Sequence, residues 1–415
     1  MCDTFVALPK ATTDGSLILS KNSDREPDEA QAIIHIPQKK NTEKTLQCTY
    51  ISIPQVSETY ECILSKPFQM WGAEMGVNAH GLAIGNEAVF TKVKFDKKKV
   101  GLTGMDLLRL ALERCKNAKE AIDCITSLLA THGQNANGGY KNKNFYYHNS
   151  FIIADTKDAW VLETAGNEWA LERVKDIRSI SNKLSISTNA DQLSSEAKTF
   201  AQQNKWWDGK SAFDFQKNYS DWLYTTVGRA AKRQACTMEL GMKKNGQLTI
   251  ADCISILQTH NIEESTFKPS KANTGSICMH RTSLLNPSST TGSMIAKIRK
   301  QGAYTIWLTG TSMPCLSIYI PFFFGTNSMH KIPSPSATAD NSLWWRAEKI
   351  HQWICKDYKK RKALINEERT ALQHKFITQE NELLSKDYTL QSLETFSSNC
   401  YAEYEELINR WSKLM

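Results

Sequence analysis

The chain alternates between strand-like and helix-like hydrophobic spacing, and the order of those blocks restricts its architecture more than any single motif does. Short β-branched and aromatic runs come first, at 3–8, 16–22, 31–36, 46–53, 59–65 and 82–86. From Thr103 the spacing turns helical. Met105, Leu108, Ala111 and Leu112 share one face, Thr103 with Asp106 reads as a capping box, and the pattern predicts a helix to about Cys115. A second helix begins at Asn117, with Glu120 three residues on, and stops near Gly133. Two adjacent amphipathic helices have to cover a sheet. Strand patterns return as a meander over 148–187, helical spacing over 218–260, and strands at 275–280, 293–299, 303–309 and 315–320. Blocks in this order predict two antiparallel sheets covered by helices, a layered α+β fold.

Two connecting stretches stand out. Gln134-Asn135-Ala136-Asn137-Gly138-Gly139 reads as a flexible surface loop and a candidate substrate lid. Residues 331–340, rich in Pro, Ser, Thr and Ala, read as a linker, so the expected division is a catalytic domain over 1–330 and a linker with charged helices over 331–415. The tail should pack on the core or on a second subunit, the latter giving a homo-oligomer. Trp344, Trp345 and Trp411 fit packing better than a ligand box.

With 415 residues and 41% hydrophobic content the chain can bury a large core. Its net charge of +8 is spread over short basic runs such as Lys97-Lys98-Lys99, with no nucleic-acid motif beside them, so no nucleic-acid partner is expected. Eleven cysteines without a Cys-x-x-Cys pair point to reduced thiols and a cytoplasmic setting. No apolar run approaches the ~20 residues of a membrane span, and the start lacks the charged and apolar regions of a signal peptide. There is no His-Glu-x-x-His, Walker loop or Gly-x-Ser-x-Gly elbow, so neither metal nor cofactor is expected.

The chemistry concentrates at the start. Removing Met1 from Met1-Cys2-Asp3-Thr4-Phe5 would leave Cys2 with both a thiol and a free α-amine. With ordinary pKa values of about 8.5 and about 7.7–8.0, roughly a quarter to two fifths of that amine is neutral at pH 7.5 and able to take the thiol proton. A hairpin turning through 9–15, with partner numbers summing to about 24, would set Cys2 opposite Asn22 and bring Lys21 and Asp24 close by.

Ordered blocks extend this signal. Cys2-Asp3-Thr4-Phe5-Val6-Ala7 and Lys21-Asn22-Ser23-Asp24-Arg25 are followed by Trp71-Gly72-Ala73-Glu74-Met75-Gly76, Gly85-Asn86-Glu87-Ala88, Gly104-Met105-Asp106-Leu107, His148-Asn149-Ser150-Phe151, Leu162-Glu163-Thr164-Ala165-Gly166, Ile180-Ser181-Asn182 and Trp206-Trp207-Asp208-Gly209. Over roughly the first 330 residues the chain resembles the secernins and bacterial dipeptidase A enzymes, cysteine N-terminal-nucleophile (Ntn) hydrolases distantly related to penicillin V acylases and bile-salt hydrolases. The resemblance implies a four-layer αββα sandwich of two antiparallel sheets, here with a C-terminal helical extension.

It also implies residue roles. Cys2 is the nucleophile, Asp24 orients the α-ammonium or binds a substrate amine, and Asn78 and Asn182 supply the oxyanion hole, Asn78 through its backbone N–H. On residue type alone either Asn also suits a turn. Lys21 stands where the acylases carry an arginine, Arg25 could supply the missing guanidinium, and Arg229 in Val227-Gly228-Arg229 is a weaker match to a later acylase arginine, so these three are candidates for substrate binding. A dyad built on His148 or His280 is disfavoured, since both lie in strand-like stretches that suit structural histidines. The expected function is that of a broad-specificity dipeptidase acting on a small peptide or amide. The alternatives are an N-acyl amide acylase and a non-enzymatic secernin-like interaction protein of regulated secretion.

Overall fold

The computed structural model describes residues 1–221, 228–283 and 286–415. Its two main sheets are built from β1 (Cys2–Ala7), β2 (Leu17–Arg25), β3 (Gln31–Ile36), β4 (Cys62–Pro67), β5 (Met75–Asn78), β6 (Ala83–Val89), β7 (His148–Ala154), β8 (Ala159–Ala165), β9 (Glu168–Arg173), β10 (Ile177–Ile180), β11 (Gln192–Leu193), β12 (Ser289–Ile298), β13 (Thr305–Leu308) and β14 (Ile320–Phe322). Sheet I runs β10-β1-β2-β12-β13-β14, and sheet II runs β11-β9-β8-β7-β6-β5-β4-β3. All neighbouring strands are antiparallel.

Helices α1 (Gly104–Arg114) and α2 (Ala118–His132) cover sheet II. Thr103 and Asp106 form the expected capping box, Asn117 caps α2, and Gly133 ends it at φ 64°. Their apolar faces bury Leu107, Leu108, Ala111, Leu112, Ala121, Ile122 and Ile125 against Leu64, Ile84, Phe151, Ile153 and Leu162. The short α3 (Ala197–Gln203) and α4 (Phe215–Tyr219) precede α5 (Ala230–Met242) and α6 (Ile250–Leu257), which cover sheet I. The result is the four-layer αββα sandwich of two antiparallel sheets.

Several local expectations are revised. The run 46–53 is two short strands, Thr45–Gln47 and Ser52–Pro54, folded on each other because Cys48 N–H bonds back to Ile51 O. Residues 275–280 join no ladder strand, and 315–320 begins as a 3₁₀ turn at Pro314–Leu316, a start that Pro favours by lacking an N–H. Within 218–260, residues 222–227 lie outside the described residues. The stretch 134–139 is mostly buried and bonded rather than a flexible surface loop. Gln134 bonds Thr164, Gly166 O and Asn149, and the Gly138 carbonyl accepts from Arg25 at 2.7 Å.

The tail forms α7 (Leu343–Lys356), α8 (Tyr358–Leu384) and α9 (Leu390–Ser412). It packs on its own chain, where Ile350, Ile354, Ile365, Phe376, Tyr404, Leu407 and Trp411 join the core of sheet I. Trp344 is buried with its indole N–H on Thr291 O at 2.8 Å, a packing role.

Candidate active site

The β1–β2 hairpin pairs Cys2 with Ser23 and Thr4 with Lys21, one residue from the expected register. Because side chains alternate, the slip decides which residues share a face. Thr4 and Lys21 point between the sheets, where a Cβ on Gly85 of β6 would lie 3.0 Å from Thr4 Oγ1 and 2.8 Å from Lys21 Cδ. Asp3 and Phe5 point the other way, to Arg233 and Gly241 of α5.

β10 pairs with β1, Thr4 opposite Ile180, so the residues after β10 run alongside Cys2. Asn182 Oδ1 accepts the Cys2 N–H at 2.7 Å. Its Nδ2 donates one hydrogen to Ala88 O of sheet II at 2.9 Å. Arg233 closes the arrangement from α5, donating to Cys2 O at 3.0 Å, Asp3 Oδ2 at 2.6 Å and Asn182 Oδ1 at 2.8 Å. The Cys2 Sγ accepts the Asp24 N–H at 3.4 Å, and the Met1 amine donates to Asp24 O at 2.9 Å. A cavity of about 50 Å³ opens here, lined by Met1, Cys2, Asp24, Arg25, Glu74, Asn86, Tyr147, Asn182 and neighbouring apolar side chains.

Burial dominates the electrostatics. It pushes the Cys2 thiol up to about 11, against the opposing pull of the Lys21 ammonium and the Met1 amine. Burial also acts to discharge Lys21, but Cys2, Glu87 and Glu74 outweigh it and hold the ammonium above its ordinary pKa. Lys21 is fully buried, 2.6 Å from Asn86 O and 3.1 Å from Glu87 Oε1. Glu87 is pushed up to about 7 and Asp24 to about 6, both by burial. Asp3 is raised by burial and drawn back by Arg233, whose guanidinium keeps its charge. Asp24 Oδ2, Asn86 Oδ1, Glu87 Oε2 and Arg233 Nε are buried without a protein partner, so the surroundings of Cys2 hold spare hydrogen-bonding capacity.

The structure brings Cys2, Asp24, Asn182 and Lys21 together and sends two of the sequence candidates elsewhere. Asn78 lies outside the cavity lining, with its polar groups engaged within the fold. Its Nδ2 donates to Leu112 O and Cys115 O at 2.8 and 2.7 Å, its Oδ1 accepts from His80 and Leu82, and its own N–H bonds Leu82 O, so it ties α1 to sheet II. Arg229 is exposed at the start of α5, and one turn later Arg233 makes the buried contacts. Arg25 lines the cavity, but Glu29, Glu74, Tyr147 and Gly138 O engage its guanidinium. Sequence reasoning missed Arg233, Asn86 and Glu87 as site residues. The last two sit inside Gly85-Asn86-Glu87-Ala88, a block that only the family resemblance marks. His148 is buried beside Thr91 and stacked on Phe95, and burial lowers it to about 3, so it rests as a neutral structural imidazole.

The sequence profile of Peptidase family C69 matches residues 1–371, and the chain belongs to that family. The probable dipeptidase B of Lactococcus lactis subsp. lactis (strain IL1403) is 26% identical over 189 residues, which is 42% of this chain and 37% of that relative's length. Among solved structures, the penicillin V acylase from Agrobacterium tumefaciens superposes with a TM-score of 0.44 at 13% identity, covering 78% of this chain and 86% of that one. The C2A mutant of the conjugated bile acid hydrolase from Clostridium perfringens gives 0.43 at 15% identity, covering 74% and 88%.

Proposed function

We propose that this chain is a cytoplasmic cysteine dipeptidase of the N-terminal-nucleophile type, with Cys2 armed by loss of Met1. The observation that carries this reading is the seat of the Cys2 nitrogen, 2.7 Å from Asn182 Oδ1, beside a thiol that faces a cavity lined by Asp24, Arg25, Glu74, Asn86 and Asn182. That nitrogen becomes the α-amine once Met1 is gone, and Asn182 Oδ1 holds it. Family membership supports a peptidase.

In the proposed reaction the neutral α-amine takes the thiol proton, and Lys21 stabilises the resulting thiolate. The sulfur attacks the peptide carbonyl. The second Nδ2 hydrogen of Asn182 receives the negative oxygen, in the oxyanion role expected of Asn78. The α-ammonium returns its proton to the leaving amine as the C–N bond breaks, and water, deprotonated by the same amine, hydrolyses the thioester. Asp24 and Glu74, which line the cavity, suit the free ammonium of a dipeptide, while Arg25 pairs with Glu29 and Glu74.

The test is intact mass and peptide mapping after native alkylation, followed by turnover of a dipeptide panel and a panel of acylated amines. The expected result is a chain lacking Met1, labelled first at Cys2, active on dipeptides, and inert as the folded Cys2→Ala variant. Turnover restricted to acylated amines would replace the substrate class, and an active Cys2→Ala variant would end the mechanism.

A further inference from the structure

A second group of reactive side chains lies away from the Cys2 cavity. His260 follows α6, Cys278 and His280 are two apart on an extended segment, and Cys315 sits in the 3₁₀ turn before β14. Among the described residues this is the one group of three or more His, Cys, Asp and Glu side chains whose ligand atoms converge, all four within 4.8 Å of one another.

The three distances that meet at His280 Nε2 match edges of a coordination tetrahedron, and the other ligand atoms lie within 4.8 Å of one another. Zinc bonds of about 2.0–2.1 Å to nitrogen and about 2.3 Å to sulfur give tetrahedral edges of about 3.3 Å between nitrogens and about 3.6 Å between nitrogen and sulfur. His260 Nε2 and His280 Nε2 are 3.2 Å apart, and His280 Nε2 is 3.3 Å from Cys315 Sγ and 3.7 Å from Cys278 Sγ. Four unrelated buried side chains that merely pack have no reason to aim their ligand atoms at one point.

The surroundings match as well. A metal-bound histidine usually gives its other ring nitrogen to a carboxylate, which fixes the tautomer. His260 Nδ1 meets Glu264 Oε2 at 2.9 Å, and Glu264 is itself held by Tyr358 OH and Lys362 from α8. Phe267 stacks on the His260 ring at 3.6 Å between centroids, locking its plane.

We infer that His260, Cys278, His280 and Cys315 bind one tetrahedral divalent metal ion, zinc by the two-nitrogen, two-sulfur donor set. Binding releases the two thiol protons and takes both imidazoles as neutral ligands. Four protein ligands leave no open position, so the site is structural. It would clamp the segment after α6 to the turn before β14. Both parts of that segment touch the strand that carries the site residues: Asn22 Nδ2 donates to Leu257 O and Ile277 O, and Thr290 Oγ1 links Met279 N–H to Asp24 Oδ1.

The inference is independent of the peptidase reading and is tested on the full chain by metal content. Protein purified from zinc-supplemented cells, dialysed against metal-free buffer, should retain about one zinc per chain. Cys278→Ser and Cys315→Ser should lose it, while Cys124→Ser on α2 keeps it. In case those variants fail to fold, the wild-type protein, stripped and titrated with cobalt(II), should develop thiolate charge-transfer and tetrahedral d–d bands that saturate at one equivalent. Zinc lost on dialysis together with a cobalt spectrum lacking those bands would overturn the site. So would metal content that the Cys278→Ser and Cys315→Ser variants keep, or a disulfide between Cys278 and Cys315 in protein handled with reductant.

Discussion

Arg233 donates to Asn182 Oδ1 at 2.8 Å, the same oxygen that accepts the Cys2 N–H at 2.7 Å. The position of the proposed nucleophile therefore depends on a helix residue more than two hundred positions away in sequence, held in turn by a fully buried ion pair to Asp3. Removing one partner of such a pair leaves a bare buried charge, which costs about 3–5 kcal/mol.

Arg233→Met should accordingly lower unfolding stability by about 3–5 kcal/mol in urea titrations. Arg229→Ala, at the exposed residue that precedes the same helix, should change stability by under about 0.5 kcal/mol. Equal effects of the two would contradict the assignment of the buried role to Arg233.

Asn78 and Asn182 should separate cleanly. Asn78→Ala removes the bonds that tie α1 to sheet II and should destabilise the chain by about 1–3 kcal/mol while kcat per folded molecule stays unchanged. Asn182→Ala should lower kcat about 10²–10³-fold, the usual cost of one oxyanion donor. Turnover of the two variants on the same dipeptide, normalised to folded protein, decides it.

Gly85→Ala places a methyl 2.8 Å from Lys21 Cδ, between the two sheets. Overpacking of this kind costs about 1–3 kcal/mol. The variant should unfold at lower denaturant and react more slowly with alkylating reagents at Cys2, because Lys21 is displaced from the thiol.

A remote carboxyl gives a pH test free of the site. Glu348, bonded by Gln352 and Ser312, is pushed up to about 7 by burial. Its folded pKa lies above the unfolded value of about 4.3, so the folded chain binds this proton more tightly. The stability it contributes is complete below about pH 4 and is lost as pH rises through about 7. Glu348→Gln imitates the protonated form at every pH. The variant should match the wild type near pH 4 and exceed it by roughly 3 kcal/mol at pH 8, measured by urea unfolding across that range.

Much of this protein is local and was therefore readable in the chain. The capping box Thr103–Asp106 and the cap at Asn117 are contacts between residues three apart, and the β1–β2 hairpin needs only its turn. The strand and helix order follows from periodicity, and the ordered blocks beginning at Cys2 marked the family. The tertiary structure decided what depends on distance in space. A one-residue register difference set Cys2 opposite Ser23, because period-two alternation makes that choice sensitive to turn geometry that residue types leave open. Packing between the sheets placed Asn86 and not Asn78 in the cavity, and α5 supplied Arg233 where the resemblance points weakly to Arg229. His260, Cys278, His280 and Cys315 carry no spacing signal, since three separate segments converge only after sheet I and its helices have packed.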